Sequence, residues 1–572
     1  MRALLQALCL FAIVVLVTPS AGAQVCEGDV TLETQAEVDA FNCTEVTGTL
    51  FVSGDAIVNL DGLANLTFVS EKLQIGGNPS LTNLDGLSNL TSVGDDLYIY
   101  DNAALTSVTG LLSLTSVGGY LRFGDGFSGN DSLPDLNGLD NLTTIGGGLK
   151  IQGNASLTTL DGLGSLTSIG GNLYIGGNDS LTDLTGLANL SSVGEYLSIA
   201  NNDALTSLDG LGSFNSADNL FISRNASLTD LTGLANLISI NYLYIWDNDA
   251  LENFNGLGST DIDWLRINGN DALTTLNGLA NLTSLRRLFV EDNARLVNLD
   301  ALVGLTAVQI SFRIEGNTSL TNLDGLGSLT SVGSLYISDN ASLTDLSGLA
   351  SLASANRLSI NNNDALTSLD GLGSLASISV DAVIDENAAL QNVDGLASLS
   401  SVGNHLIINN NDALTNLDGL ASLTSIDRRL EVQYNSVLAE CTVGLGEILA
   451  EGGVGGLITI SNNAPGCNSI WEAIGGNVDA EGEATPLVTG LATPYPNPTV
   501  GAATLTYSLA EPDEVTLTLF DALGRQVRTL AEGPQAAGEH EITLGAGLPA
   551  GTYVVRFETD GDAWTERVTV VR

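Results

Sequence analysis

Residue types able to carry covalent chemistry are scarce in this 572-residue chain. Its two histidines, His405 and His540, fall in segments of different composition, so neither has a histidine partner. No G-x-S-x-G, H-E-x-x-H or phosphate-loop pattern occurs. The 66 Asp and Glu residues are numerous enough for some carboxylate pairs to reach glycosidase-like separations by chance. No catalytic residue, cofactor-binding residue or cofactor is therefore assigned, and the chain reads as a non-enzyme. Calcium is weighed on Asp101-Asn102, Asn202-Asp203, Asp247-Asn248-Asp249, Asn363-Asp364 and Asn411-Asp412, whose oxygens suit a hard cation. The nonapeptide calcium repeat is missing, so no metal site is assigned.

The chemistry that remains is recognition, and it rests on a repeat. An Asn follows each L-x-I triplet sixteen times, from Asn78 and Asn102 to Asn411 and Asn435, at a mean period of about 24 residues. A fixed period of this length signals a solenoid. Each copy holds three short apolar groups, as in Leu157/Leu160, Leu163/Leu166/Ile169 and Leu173/Ile175, separated by Gly, Asn, Asp and Ser. No group is long enough for a helix, so three short strands per coil are predicted. The pair Asp161-Gly162 suits a turn with positive φ. The Asn column is predicted to be buried at a corner, bonded to the backbone of its own or the next coil. With strands ~4.8 Å apart, sixteen coils would make a rod of roughly 75 Å.

Within L-x-I, a period of two sends Leu and Ile inward and the middle residue outward. Down the coils that outward column includes Tyr98, Arg122, Lys150, Tyr174, Phe221, Tyr244, Arg266, Phe289, Arg313 and Tyr336. Aspartate never occurs in it, and glutamate only at Glu431, in a chain with a formal charge of −48. Aromatics and Arg are enriched at interfaces, so these ten residues form the candidate binding stripe. Strand propensity alone would also favour aromatics there. The acidity itself argues against nucleic acid and anionic membrane surfaces as partners. A second regularity concerns Asp161, Asp183, Asp209 and Asp230, which shift by two positions in alternate coils. Avoided like-charge stacking and two-coil duplication both account for it.

Residues 1–23 read as a signal peptide: Arg2, an apolar stretch from Leu8 to Val17, then Ala21-Gly22-Ala23. Cys9 lies within that stretch, and no later segment is apolar over the ~20 residues a transmembrane helix needs. The four remaining cysteines are Cys26, Cys43, Cys441 and Cys467. Two precede the repeats and two close them, so pairing within each end is predicted, and a shared metal site is excluded by distance. Residues 24–45 form an N-terminal cap, with 28–43 a candidate cap helix or irregular cap. Coils and the C-terminal cap occupy 46–467, and 468–493 is a linker. Two coils are irregular, one with an insertion over Phe123–Asn130 and one shortened over 251–270. Beyond the linker the period stops, and alternating runs such as Thr504–Leu509, Val515–Phe520, His540–Leu544, Tyr553–Phe557 and Glu566–Val571 predict an antiparallel sandwich.

Two resemblances follow from these residues. The pattern L-x-x-L-x-G-L-x-x-L-x-x-[IV]-x-x-x-L-x-I-x-x-N resembles the receptor L domain and, more loosely, the leucine-rich repeat, over about residues 45–465. It implies an all-β, right-handed parallel β-solenoid of about 16–17 coils and carries over no ligand residues. Tyr495-Pro-Asn-Pro498, Leu519–Val527, Gly538-Glu-His540, Leu548–Tyr553 and the closing Val571-Arg572 resemble the type IX secretion C-terminal sorting domain, over 494–572. That resemblance implies a bacterial protein taken through the periplasm by the type IX machinery to the outer surface or medium. The expected function is adhesin-like binding of an unknown protein or glycan. A passive envelope or matrix element is the alternative, and a surface enzyme is the weakest reading.

Overall fold

In the computed structural model, the described residues are 24–126, 128–258, 260–475, 489–492, 494, 497, 499, 503–544, 548–559 and 562–571. The predicted leader, most of the linker, Phe127 of the insertion, Tyr495, Pro496 and Pro498 of the proline motif, and Arg572 lie outside them. The chain forms two compact units, residues 1–179 and 180–572.

In the first unit each coil contributes two strands. The L-x-I strands Leu50–Val52, Leu73–Gly76, Leu97–Tyr100, Leu121–Phe123, Leu149–Gln152 and Leu173–Gly176 stack in parallel and in register. Two-residue strands such as Phe68–Val69, Ser92–Val93 and Ser116–Val117 form a second parallel stack. The predicted third strand is instead a tight turn, as at Asp61–Leu63, Asp85–Leu87 and Thr109–Leu111. The reason lies in the spacing. Leu60, Leu63 and Leu66 recur every three residues, which matches a 3₁₀ turn and not a strand. Leu63 donates to the Leu60 carbonyl at 2.8 Å and Leu66 to Leu63 at 2.8 Å, and all three leucines are fully buried. Gly162 has the positive φ expected of it, 105°. Gly86 does not, and is glycine because a Cβ there would collide with the Leu60 carbonyl of the coil before.

The N-terminal cap begins with strands Val25–Cys26 and Val30–Leu32, already paired in register with Glu45–Val46 and Leu50–Val52. A helix over Gln35–Ala40 follows, started by a reciprocal Thr34–Glu37 capping box. Cys26 and Cys43 are joined in a disulfide.

The second unit repeats this plan, with one change in its middle. From Ser239–Trp246 to Ser354–Asn361 the two strands of a coil merge into one of eight or nine residues. Ser168 and Leu173 are five residues apart in a two-strand coil, whereas Ser239 and Leu243 are four apart. Without the extra residue there is no corner to make, and the strand runs straight. Ala307–Glu315 keeps the extra residue and takes it up as a register shift between Val308 and Ser311. The shorter step first occurs at Ser216–Leu220, where the two pairings are still separate.

The coils close with helix Thr442–Ala450, strand Ile458–Ser461 and helix Ile470–Ala473, and Cys441 and Cys467 are joined in a disulfide. The C-terminal segment is an antiparallel sandwich. Gly490–Leu491, Ala503–Leu509 and Gly538–Leu544 form one sheet. Gln526–Gln535, Asp513–Asp521, Gly551–Glu558 and Ala563–Val570 form the other. Between them lie Leu505, Leu509, Leu517, Leu519, Val555, Phe557 and Val568.

In both units the Asn column is fully buried. Asn102 Nδ2 donates to the Ile75 carbonyl at 3.0 Å and to Asn130 Oδ1 at 3.1 Å. Asn248 Nδ2 likewise reaches Ile222 O at 3.0 Å and Asn270 Oδ1 at 3.3 Å. The sequence marks stopped at Asn435, yet Ile458-Thr-Ile-Ser-Asn-Asn463 fits the same pattern. Asn435 donates to Asn463 Oδ1 at 3.0 Å, and Asn463 N–H is satisfied by Asn468.

Candidate binding face of the L-x-I strands

A parallel ladder sets each residue beside its counterpart one coil on, so the outward column is a physical row. In the first unit Phe51, Gln74, Tyr98, Arg122, Lys150 and Tyr174 are consecutive register partners. Lys72 lies over the Tyr98 ring at 4.5 Å and Arg122 at 5.0 Å, while Lys150 lies 5.2 Å from the Tyr174 ring. Asp96 receives Tyr98 Oη at 2.8 Å and pairs with Lys72 at 2.9 Å. The bond to Asp96 raises the Lys72 ammonium above its ordinary range. Burial pushes the Lys150 ammonium down, aided by the like charge of Arg122, and pushes the Tyr98 and Tyr174 phenols up.

In the second unit Phe221, Tyr244, Arg266, Phe289, Arg313 and Tyr336 are consecutive partners. Phe221 and Tyr244 stack at 5.5 Å. Arg313 spans Phe289 at 5.4 Å and Tyr336 at 5.5 Å. The absence of acid from this column does not leave its cations free. Arg266 donates through Nε to the buried Glu291 at 2.9 Å, and Arg313 reaches Glu291 at 3.4 Å and Glu315 at 3.5 Å. Glu291 and Glu315 sit two residues along their strands, in a neighbouring outward column. Burial lifts the Glu315 carboxyl above its usual range against the pull of Arg313.

Sequence reasoning followed one column where the pleat supplies three. Two residues before the stripe lie Tyr196, Tyr242, Trp264 and Arg287, and two after it lies Trp246. Tyr242 meets Trp264 edge-on at 4.6 Å, and Arg287 lies 4.1 Å above Trp264. The same period of two that marked Tyr244 would have found them. Beside the merged strands a shallow polar depression is lined by Asn241, Asp261, Asp263, Arg286 and Gln309, with Arg286 paired to Asp263 at 3.5 Å.

The other candidates resolve differently. His405 opens the strand His405–Asn409, with Nδ1 buried and unbonded and its imidazole pKa pushed down by burial. His540 stacks on Tyr507 at 4.9 Å, with Nε2 2.8 Å from the Ala536 carbonyl. At the Asp and Asn corner, the residue before the ladder Asn is left-handed, as in Asp101 (φ 54°), Asp247 (55°) and Asn362 (53°). Asp, Asn and Gly tolerate that conformation best, which accounts for their recurrence there. The shifting carboxylate also has a local cause. In each coil a side chain caps the N–H two residues later, as Asn59 caps Asp61 at 3.1 Å and Asp183 caps Thr185 at 2.9 Å. Where Asp183, Asp230 and Asp345 take the capping place a hydroxyl residue follows, and the Thr185 and Thr232 hydroxyls bond the carboxylate at 2.5 Å, while Asp135 caps Asn137.

No curated protein matches the chain. Residues 493–571 match the family of secretion system C-terminal sorting domains. Such a domain engages the type IX secretion machinery, and the chain is exported by that route to the cell surface or beyond it.

Proposed function

We propose that this is an exported repeat protein, not an enzyme, that binds a protein or glycan partner through the L-x-I face of its second unit. In this reading residues 1–23 are a cleaved signal, and the coils are receptor L domain-like relatives of leucine-rich repeats. The observation that carries the binding role is the half-buried cluster of Phe221, Tyr242, Tyr244, Trp246 and Trp264, continued by Arg266, Arg287 and Arg313. Stability of the coils rests on the buried leucines and asparagines and does not call for such a patch. In the first unit, Tyr98, Arg122, Lys150 and Tyr174 present the same chemistry on their own sheet.

One observation favours the second reading, a passive structural element. Phe221 and Tyr244 spend a ring face on each other, as a strand-stabilising ladder would. Glycan and protein arrays probed with the full chain, followed by variants, separate the two. Changing Phe221, Tyr244 and Phe289 to Ser should weaken a hit by about 30-fold or more per true anchor. Changing Ser359, Val383 and Ile407, in the same column, should not. Equal effects from both sets would leave only the ladder.

A further inference from the structure

The most exposed large apolar side chain among the described residues is neither on the coils nor at a frayed end. It is Leu523, 77% exposed, at the tip of the hairpin joining Asp513–Asp521 to Gln526–Gln535 in the C-terminal sandwich. A single exposed leucine needs no explanation by itself. This one is held out by a tip that Asp521 ties together. Asp521 Oδ1 accepts from Leu523 N at 2.9 Å and Arg525 N at 3.0 Å, and Oδ2 accepts from Arg525 Nε at 2.7 Å. The main chain closes the same turn, Asp521 N to Arg525 O at 2.9 Å and Gly524 N to Asp521 O at 2.9 Å. Such a tip loses little conformational entropy on docking.

The surroundings extend the feature. Val527 is 42% exposed on the strand that leaves the tip, and that strand is an edge of its sheet. Residues 521–529 carry two arginines and one aspartate, net +1, in a chain of formal charge −48.

We infer that the Asp521–Arg525 tip is the part of the sorting domain that the export machinery grips. Leu523 enters an apolar socket, and Arg528 faces an acidic group on its rim, Arg525 being held by Asp521 within the tip. The inference rests on the sorting-domain match, but it is separable from it, because removing 493–571 tests the match without touching the question of which surface is read.

The test is made in full-length chains in the producing bacterium. Leu523→Ser and Leu523→Lys alter only an exposed side chain. Each should reduce the exported fraction by about tenfold, with precursor accumulating in the periplasm and the sandwich still resistant to protease. Leu523→Met should export normally, as should Thr504→Ala, an exposed change in the other sheet. Export of either polar variant at the wild-type level overturns the inference. So does loss of the protease-resistant sandwich in both, which would make Leu523 a folding residue. If deletion of 493–571 blocks export while the Leu523 variants pass, the match stands and the assigned surface is wrong.

Discussion

At the scale of single residues, the ladder asparagine is the position with the least tolerance. Asn270 donates to Ile245 O at 3.2 Å and Asn268 O at 3.1 Å, and its Oδ1 accepts from Asn248 N at 3.1 Å and Asn248 Nδ2 at 3.3 Å. Asn270→Ala removes these bonds and leaves the Asn248 N–H without its acceptor in a buried interior, while Asn248 Nδ2 keeps Ile222 O. A buried orphan costs about 1–3 kcal/mol, so a loss of about 1–3 kcal/mol is expected in denaturant unfolding. A loss below about 1 kcal/mol would mean that water replaces the amide. The column was legible in the sequence because only one side chain supplies a donor and an acceptor of this size at one fixed place. The outward face was only half legible. The middle of the triplet marks Tyr244 and Arg266, while Tyr242, Trp264 and Arg287 lie just outside the triplet, two residues before the marked column. Nor could composition reveal that Glu291 neutralises Arg266, because that contact runs between coils and between columns.

At the scale of elements, what was misread were periods. Leu60, Leu63 and Leu66 span the first two apolar groups of a coil and form a turn where a strand is expected, since three-residue spacing is the 3₁₀ period. Gln526–Gln535 was missed as a strand because it is largely exposed and contains Gly533-Pro534, features that an edge strand admits. The merged strands give a prediction. A glycine inserted between Asn241 and Tyr242 restores the five-residue step of a split coil, and the chain should absorb it as a corner or bulge. Thermal unfolding should shift by no more than a few degrees, about 1 kcal/mol. The same insertion between Leu243 and Tyr244 turns Ile245 outward and Tyr244 inward. It should cost at least the about 1.5–3 kcal/mol of one expelled core side chain. Equal losses from both insertions would refute the account of why the strands merge.

At the scale of the whole molecule, the sequence divides its tasks by segment. The coils hold the aromatic and cationic columns, the caps hold both disulfides, and the sandwich holds the export address. The sandwich has its own core of Leu505, Leu517, Val555 and Phe557. Deleting 493–571 should therefore leave the coils folded and the protein held inside the outer membrane. Fractionation with a protease-protection assay checks this, and surface display of the truncated chain would refute the export role. The sandwich was recognisable from several short motifs in order. The binding partner was not, because a stacked repeat constrains its interior in every coil and its exterior in none.

The asparagine ladder has an evolutionary corollary. Its bonds run in one direction, each carboxamide oxygen serving the coil before, and Asn468 supplies the terminal stop. Within each unit a coil thus presents the same asparagine junction on either side as its neighbours. Unequal crossing-over between repeats could excise or duplicate one whole coil and leave every remaining junction satisfied. Length is then a trait that recombination can adjust in single steps, without passing through a chain that cannot fold.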